Sequence, residues 1–127
     1  AMAHQLGGQF HVPHGLANSM ILPYVIVFNC VHNTNVAKKY AHLSEKLGFT
    51  SYESSEEEKL SALIEAIVRL QHSLDCPMTL TAFGVERVTS EAKLNLMADR
   101  ALKDMCYRFN PYPANHDDLV GLYKKVL

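Results

Sequence analysis

Apolar side chains recur along most of this chain at the three-and-four spacing of helices buried on one face. Gly15 to Asn29 is the most apolar segment and is hydrophobic nearly all round, which predicts a helix buried on most sides. Pro23 should kink it by removing one backbone donor. A strand over Tyr24 to Phe28 is the rival reading, because those residues favour extended backbone. Asn33-Thr34-Asn35 offers an N-cap, Val36, Tyr40, Leu43 and Leu47 then face inward, and Gly48 stops the helix. After a connector over 49–54, Ser54 or Ser55 caps a further helix. Glu56, Glu57 and Glu58 form its solvated first turn, and Leu60, Leu63, Ile64, Ile67, Leu70 and Leu74 form its buried stripe. Asp75-Cys76-Pro77 ends it.

Thr79 to Val88 reads as a short connector with a turn at Gly84. Thr89 or Ser90 caps the next helix, with Leu94, Met97, Ala98, Ala101, Leu102 and Met105 inward. The aromatic and proline-rich run Cys106 to Pro113 is a break. Asn115 then caps a last helix, with Asp117 and Asp118 in its first turn and Leu119, Leu122, Tyr123 and Val126 inward. Ala1 to Pro13 is expected to be a loop or the tail of a helix, since Gly7 and Gly8 loosen it. The sum is an all-α bundle of about five helices, one domain over residues 1–127, with no confident strand.

With 127 residues, 48% of them apolar, the chain can close a real core. A formal charge of −1 without a basic patch argues against nucleic acid as a partner. The longest apolar run, Met20 to Phe28, is short for a bilayer span and carries Pro23, which argues against a membrane. Three scattered cysteines, Cys30, Cys76 and Cys106, suit reduced thiols in a cytoplasmic protein better than a disulfide framework.

Chemistry gathers at the start of the chain. His4, His11 and His14 lie within eleven positions, around a Gly-Gly pair and ahead of an apolar helix. Imidazoles there suit metal binding or acid–base work. Their spacing fits no standard structural zinc site, so spacing alone favours ordinary loop and core histidines. Neither Gly7-Gly8 nor Gly15 has the spacing of a dinucleotide-binding loop.

The wording of the segment goes further. Ala1, Ala3, His4, Leu6 and Gly7 match A-x-A-H-x-L-G. Pro13, His14, Gly15 and Asn18 match P-H-G-x-x-N, and Ile21, Leu22 and Pro23 match an apolar L-L-P helix. This signature resembles that of the iron-dependent (group III) alcohol dehydrogenases. A weaker likeness continues through Ala101 to Cys106 and Asn110-Pro111, where Tyr112 follows in place of the Arg of many relatives.

The resemblance implies the C-terminal helical domain of a two-domain enzyme that interconverts primary alcohols and aldehydes. It implies Fe2+ or Zn2+ and NAD(P) as cofactors. It makes His14 a metal ligand, His4 a catalytic cleft histidine and Cys106 a residue of the substrate or cofactor cleft. His11 falls outside the shared signature, and His32, His42, His72 and His116 read as surface histidines. A second ligand histidine would precede Ala1, and the remaining ligands and the nucleotide loop would belong to an N-terminal domain that this chain needs as partner. Alone, the chain is expected to be inactive and to hold no cofactor tightly. A homo-oligomer is expected, because the apolar helix leaves surface for a subunit or domain to cover. The competing reading is a stand-alone helical module for metal binding or oligomerisation.

Overall fold

The computed structural model describes residues 1–86 and 90–127 and contains, among them, six α-helices and no strand. They are α1 (Met2–Phe10), α2 (His14–His32), α3 (Thr34–Lys46), α4 (Glu56–Ser73), α5 (Glu91–Lys103) and α6 (His116–Lys124), with a 3-10 turn over Met105–Phe109. The all-helical expectation holds. Of the two readings of Ala1 to Pro13, the loop falls and the helical one holds, because residues 2–10 form α1 with Gly7 and Gly8 inside it. Met2, Ala3 and Leu6 bury one face of α1 against α2 and α5, and that burial outweighs the helical cost of two glycines. The helix ends at His11, whose left-handed backbone (φ 56°) returns its N–H to the Gly7 carbonyl.

The main core is built from α1, α2, α5 and α6. Leu6, Met20, Met97 and Tyr123 are fully enclosed there, and Leu80, Ala114 and Val126 join from the connectors and the C-terminal end. Small residues stand where these helices meet: Ala3, Ala17, Ala98 and Ala101 are 2% exposed or less. The α3–α4 hairpin lies outside this cluster and reaches it through α2.

Caps follow the sequence closely. The Asn33 side chain accepts from the N–H groups of Asn35 and Val36, and its amide donates to the Pro111 carbonyl at 3.2 Å. Ser55, rather than Ser54, forms a reciprocal capping box with Glu58. Asn115 and Asp118 form another at α6. Gly48 ends α3 with φ 75°, and Gly84 turns with φ 98°. Thr89, one of two expected caps for α5, and Val88 lie outside the described residues. Ser90 occupies the N-cap position of α5, without a side-chain cap bond.

Burial departs from expectation on three helices. In α3 the buried residues are Ala37, Ala41 and Ser44, one step round from the expected stripe, whereas Leu43 and Leu47 are exposed. Short side chains on that face let α3 and α4 pack closely. In α4 only Leu63 of the expected stripe is buried, and Leu70 and Leu74 are exposed because no other part of the described chain covers them. Met105, expected inward, is exposed because α5 stops at Lys103 and Asp104 turns the backbone extended.

The segment Tyr24 to Phe28 is helical, so the strand reading falls. With 19 residues, α2 is long and apolar enough to cross a membrane by length and composition alone, yet Ala17, Met20, Ile21 and Ile26 are spent on the protein interior. Pro23 sits inside α2. Lacking an N–H, it cannot bond the carbonyl four residues earlier, that of Ser19. Gln71 of α4 takes this carbonyl instead: its amide donates to Ser19 O at 2.6 Å and to Ser19 Oγ at 3.1 Å. A helix-breaking residue in α2 thus creates the acceptor on which α4 docks.

Gln71→Ala should therefore destabilise the protein by about 1–3 kcal/mol, the usual cost of orphaning a buried polar group. In a Pro23→Ala background, where Ser19 regains a helical donor, the same change should cost measurably less. Urea unfolding of the two single variants and the double variant reads this coupling, and strict additivity would refute it.

Candidate metal and acid–base site

The connection from α1 to α2 sets the first part of the site. Val12 is buried, Pro13 stands at the N-cap position of α2, and His14 is its first residue. This short return brings the rings of His4, on α1, and His14 together with centroids 5.3 Å apart and planes 26° apart. The Asn18 amide, one turn along α2, donates to His14 Nε2 at 3.0 Å. That nitrogen therefore presents a lone pair and the proton resides on Nδ1. His11 is exposed in the turn and serves as the left-handed end of α1.

The second part comes from the chain just after α5. Asp104 leaves the helix in extended backbone, and its Oδ1 accepts from the Cys106 N–H at 2.8 Å, capping the 3-10 turn. Its Oδ2 lies 2.6 Å from His4 Nδ1. The hydrogen bond from His4, then that from the Cys106 N–H, hold the Asp104 carboxyl down at about 2. Donor atoms of His4, Asp104 and Cys106 lie within 4.8 Å of one another, a set that could itself engage a divalent cation.

Cys106 is exposed and lines a cavity of about 270 Å³. Ala3, Asn18, Phe28, Phe109 and Asn110 line the same cavity, which is apolar apart from a few polar groups. Of the lining residues, Asn110 is held by Asn29 behind it: their amides exchange two hydrogen bonds of 3.0 and 2.8 Å. Tyr112 stacks on His32 and meets Phe28 edge-on, so an aromatic cluster occupies the position where an Arg is common in the resembling family. Tyr123, enclosed beneath α1, donates its hydroxyl to the Met2 carbonyl at 3.2 Å, and burial pushes that hydroxyl up from its ordinary value.

The structure thus gathers His4, His14 and Cys106 on one side of the bundle. His32 belongs to the aromatic cluster with Phe28 and Tyr112, histidines 42 and 72 are exposed elsewhere, and His116 approaches Asp99 and Asp117 near α6. Sequence reading missed Asp104 as a neighbour of His4. Its position two residues before Cys106, at the end of a helical pattern, was the available signal. It also missed Asn29, a buried polar residue on a helix read as apolar nearly all round.

Comparison with known proteins decides the family. All 127 residues match the family model described as "Fe-containing alcohol dehydrogenase family, C-terminal". This chain belongs to that family. The chain is 39% identical over its full length to 1-propanol dehydrogenase PduQ of Salmonella typhimurium, covering 34% of that protein. It is 32% identical over 126 residues to NADPH-dependent butanol dehydrogenase of Clostridium saccharobutylicum, covering 31% of it. A crystal structure of 1,3-propanediol oxidoreductase superposes with a TM-score of 0.85 at 32% identity, over 99% of this chain and 31% of that one. The chain spans about a third of the length of these relatives. The all-helical C-terminal domain of the iron-containing alcohol dehydrogenase fold is therefore its architecture.

The His4–Asp104 pair has a pH signature. The folded Asp104 carboxyl lies below its unfolded value of about 3.9, so its contribution to stability is complete above about pH 4 and is lost as pH falls through about 2. The stability difference between the parent chain and Asp104→Asn, measured by urea unfolding, should be largest at pH 5 and shrink steadily toward pH 2.

Proposed function

We propose that this chain forms the metal- and substrate-side domain of an enzyme that interconverts primary alcohols and aldehydes by hydride transfer with NAD(P). The observation that carries this reading is the stacked His4–His14 pair beside Cys106 and an apolar cavity. The activities for which the relatives are named, on propanol, butanol and 1,3-propanediol, point the same way.

The donor chemistry fits iron(II), or zinc in its place. His14 is exposed, its Nε2 lone pair accepts from the Asn18 amide and would pass to a metal once that bond is released, and neutral imidazole suits either metal. One imidazole makes only part of a site, so the other ligands are assigned to a nucleotide-binding partner domain. When bound, such a metal supplies Lewis-acid polarisation of the alcohol oxygen.

The chain's own residues handle what is left over. Converting an alcohol to an aldehyde removes a hydride from carbon, for which a bound nicotinamide would supply the acceptor, and a proton from the hydroxyl. His4 receives or relays that proton. Its side chain is 42% accessible, so the proton can pass on to water. The apolar cavity beside Cys106 accepts the carbon chain of the alcohol and sheds water from it. A cytoplasmic location is part of the same reading and rests on three unbridged thiols.

A second reading, a module that works by association, draws support from one observation. Leu22, Val27, Val31, Leu70 and Leu74 remain 43–74% exposed on α2 and α4. Homo-oligomerisation fits that surface. Light scattering of the 127-residue chain at micromolar concentration should report a dimer or larger, and a monomer at every concentration would remove this support.

The catalytic reading is tested in a protein that joins this chain to a nucleotide-binding domain. His14→Ala should lose metal and turnover together. His4→Ala should keep most of the metal and lose turnover by roughly 10²–10⁴-fold, the usual worth of a proton-transfer group. Elemental analysis beside NAD(P)H formation separates them, and stoichiometric metal in His14→Ala would overturn the ligand assignment.

A further inference from the structure

Asp104 reaches His4 across 100 residues of sequence. Its two oxygens have separate duties: Oδ1 is tied to the Cys106 N–H, and Oδ2 faces His4 Nδ1 at 2.6 Å. A carboxylate only accepts, so Nδ1 is the donor and His4 carries its proton there. The other ring nitrogen, Nε2, is left as the basic atom. The carboxylate is 14% accessible and cannot swing away without giving up its backbone donor. The His14 ring stacked against His4 limits rotation from the other side.

From this geometry we propose that Asp104 is a positioning residue, which fixes the tautomer and ring orientation of His4 so that Nε2 handles the alcohol proton. The inference rests on the proton-handling reading of His4 given above. Asp104 touches no reacting atom. It acts through His4, as a buried carboxylate does behind a catalytic imidazole. The proton of the alcohol goes to Nε2 and from there to water, while Nδ1 keeps its own proton throughout. No electron moves through the pair.

Asparagine separates this role from simple bracing. In Asp104→Asn the side-chain oxygen can still accept from the Cys106 N–H, but the amide nitrogen now faces His4 as a donor. His4 Nδ1 must then accept, and its proton moves to Nε2, which ceases to be a base. Asp104→Ser keeps a cap for the 3-10 turn and is too short to reach His4.

The first experiment is 15N NMR of the imidazoles in the 127-residue chain at a pH where His4 is neutral. His4 should be the Nδ1–H tautomer in the parent and the Nε2–H tautomer in Asp104→Asn. Asp104→Ser should lose the Nδ1–H preference. An unchanged Nδ1–H tautomer in a folded Asp104→Asn or Asp104→Ser would overturn the proposal.

The second experiment uses the protein that joins this chain to a nucleotide-binding domain. Asp104→Asn should lower kcat by roughly 10²–10⁴-fold, with metal content and KM close to the parent. Should His4→Ala lose turnover while Asp104→Asn and Asp104→Ser retain it, the positioning role fails and the function of His4 stands. Should His4→Ala itself retain turnover, the proton-handling reading of His4 fails first.

Discussion

Close approach of three helices at alanine is the constraint on which the site depends. Ala3 of α1, Ala17 of α2, and Ala98 and Ala101 of α5 are all but removed from solvent. Larger side chains at these positions would push the axes apart, since close-packed interiors do not absorb added volume cheaply. A shift of an ångström or so would be enough to part His4 from Asp104, because a hydrogen bond of 2.6 Å tolerates little stretch. The polar geometry is therefore set by residues that carry no chemistry themselves.

How much of this was visible in the sequence depends on whether the signal was local. Caps were legible, because Asn33, Ser55 and Asn115 act on backbone within three residues of themselves. Five helical patterns were legible from periodicity. The first helix was legible only as the alternative to a loop, because two glycines in nine residues lower local propensity and only contacts with α2 and α5 repay that cost. The register of α3 was misread for a related reason. Leucine and tyrosine look like the inward face, but a tight helix pair buries the small face, with Ala37, Ala41 and Ser44 in the seam.

The site divides in the same way. His4, His14 and Cys106 were picked out by motif wording, and the fold gathers them. Asp104 and Asn29 were not picked out, because each matters through a partner that is remote in the chain. Asp104 meets His4 and Asn29 meets Asn110, at separations of 100 and 81 residues. Such pairs have no periodicity and no local cap geometry. A lone acidic residue at a helix end reads as solvent-facing until the other helix is placed beside it.

The proline in α2 carries a consequence for cooperativity. The helices that carry His4 and His14 belong to the cluster of α1, α2, α5 and α6, while the α3–α4 hairpin contributes nothing to that cluster and is latched to α2 at the carbonyl that Pro23 leaves free. Segments joined to a core by few buried contacts tend to open as separate units, at lower free energy than global unfolding. The two helices of the hairpin pack more on each other than on α2, which makes the hairpin such a unit. Its amides should exchange with solvent through sub-global openings during which the imidazole pair stays assembled, so breathing of one half of the molecule is uncoupled from the chemistry of the other.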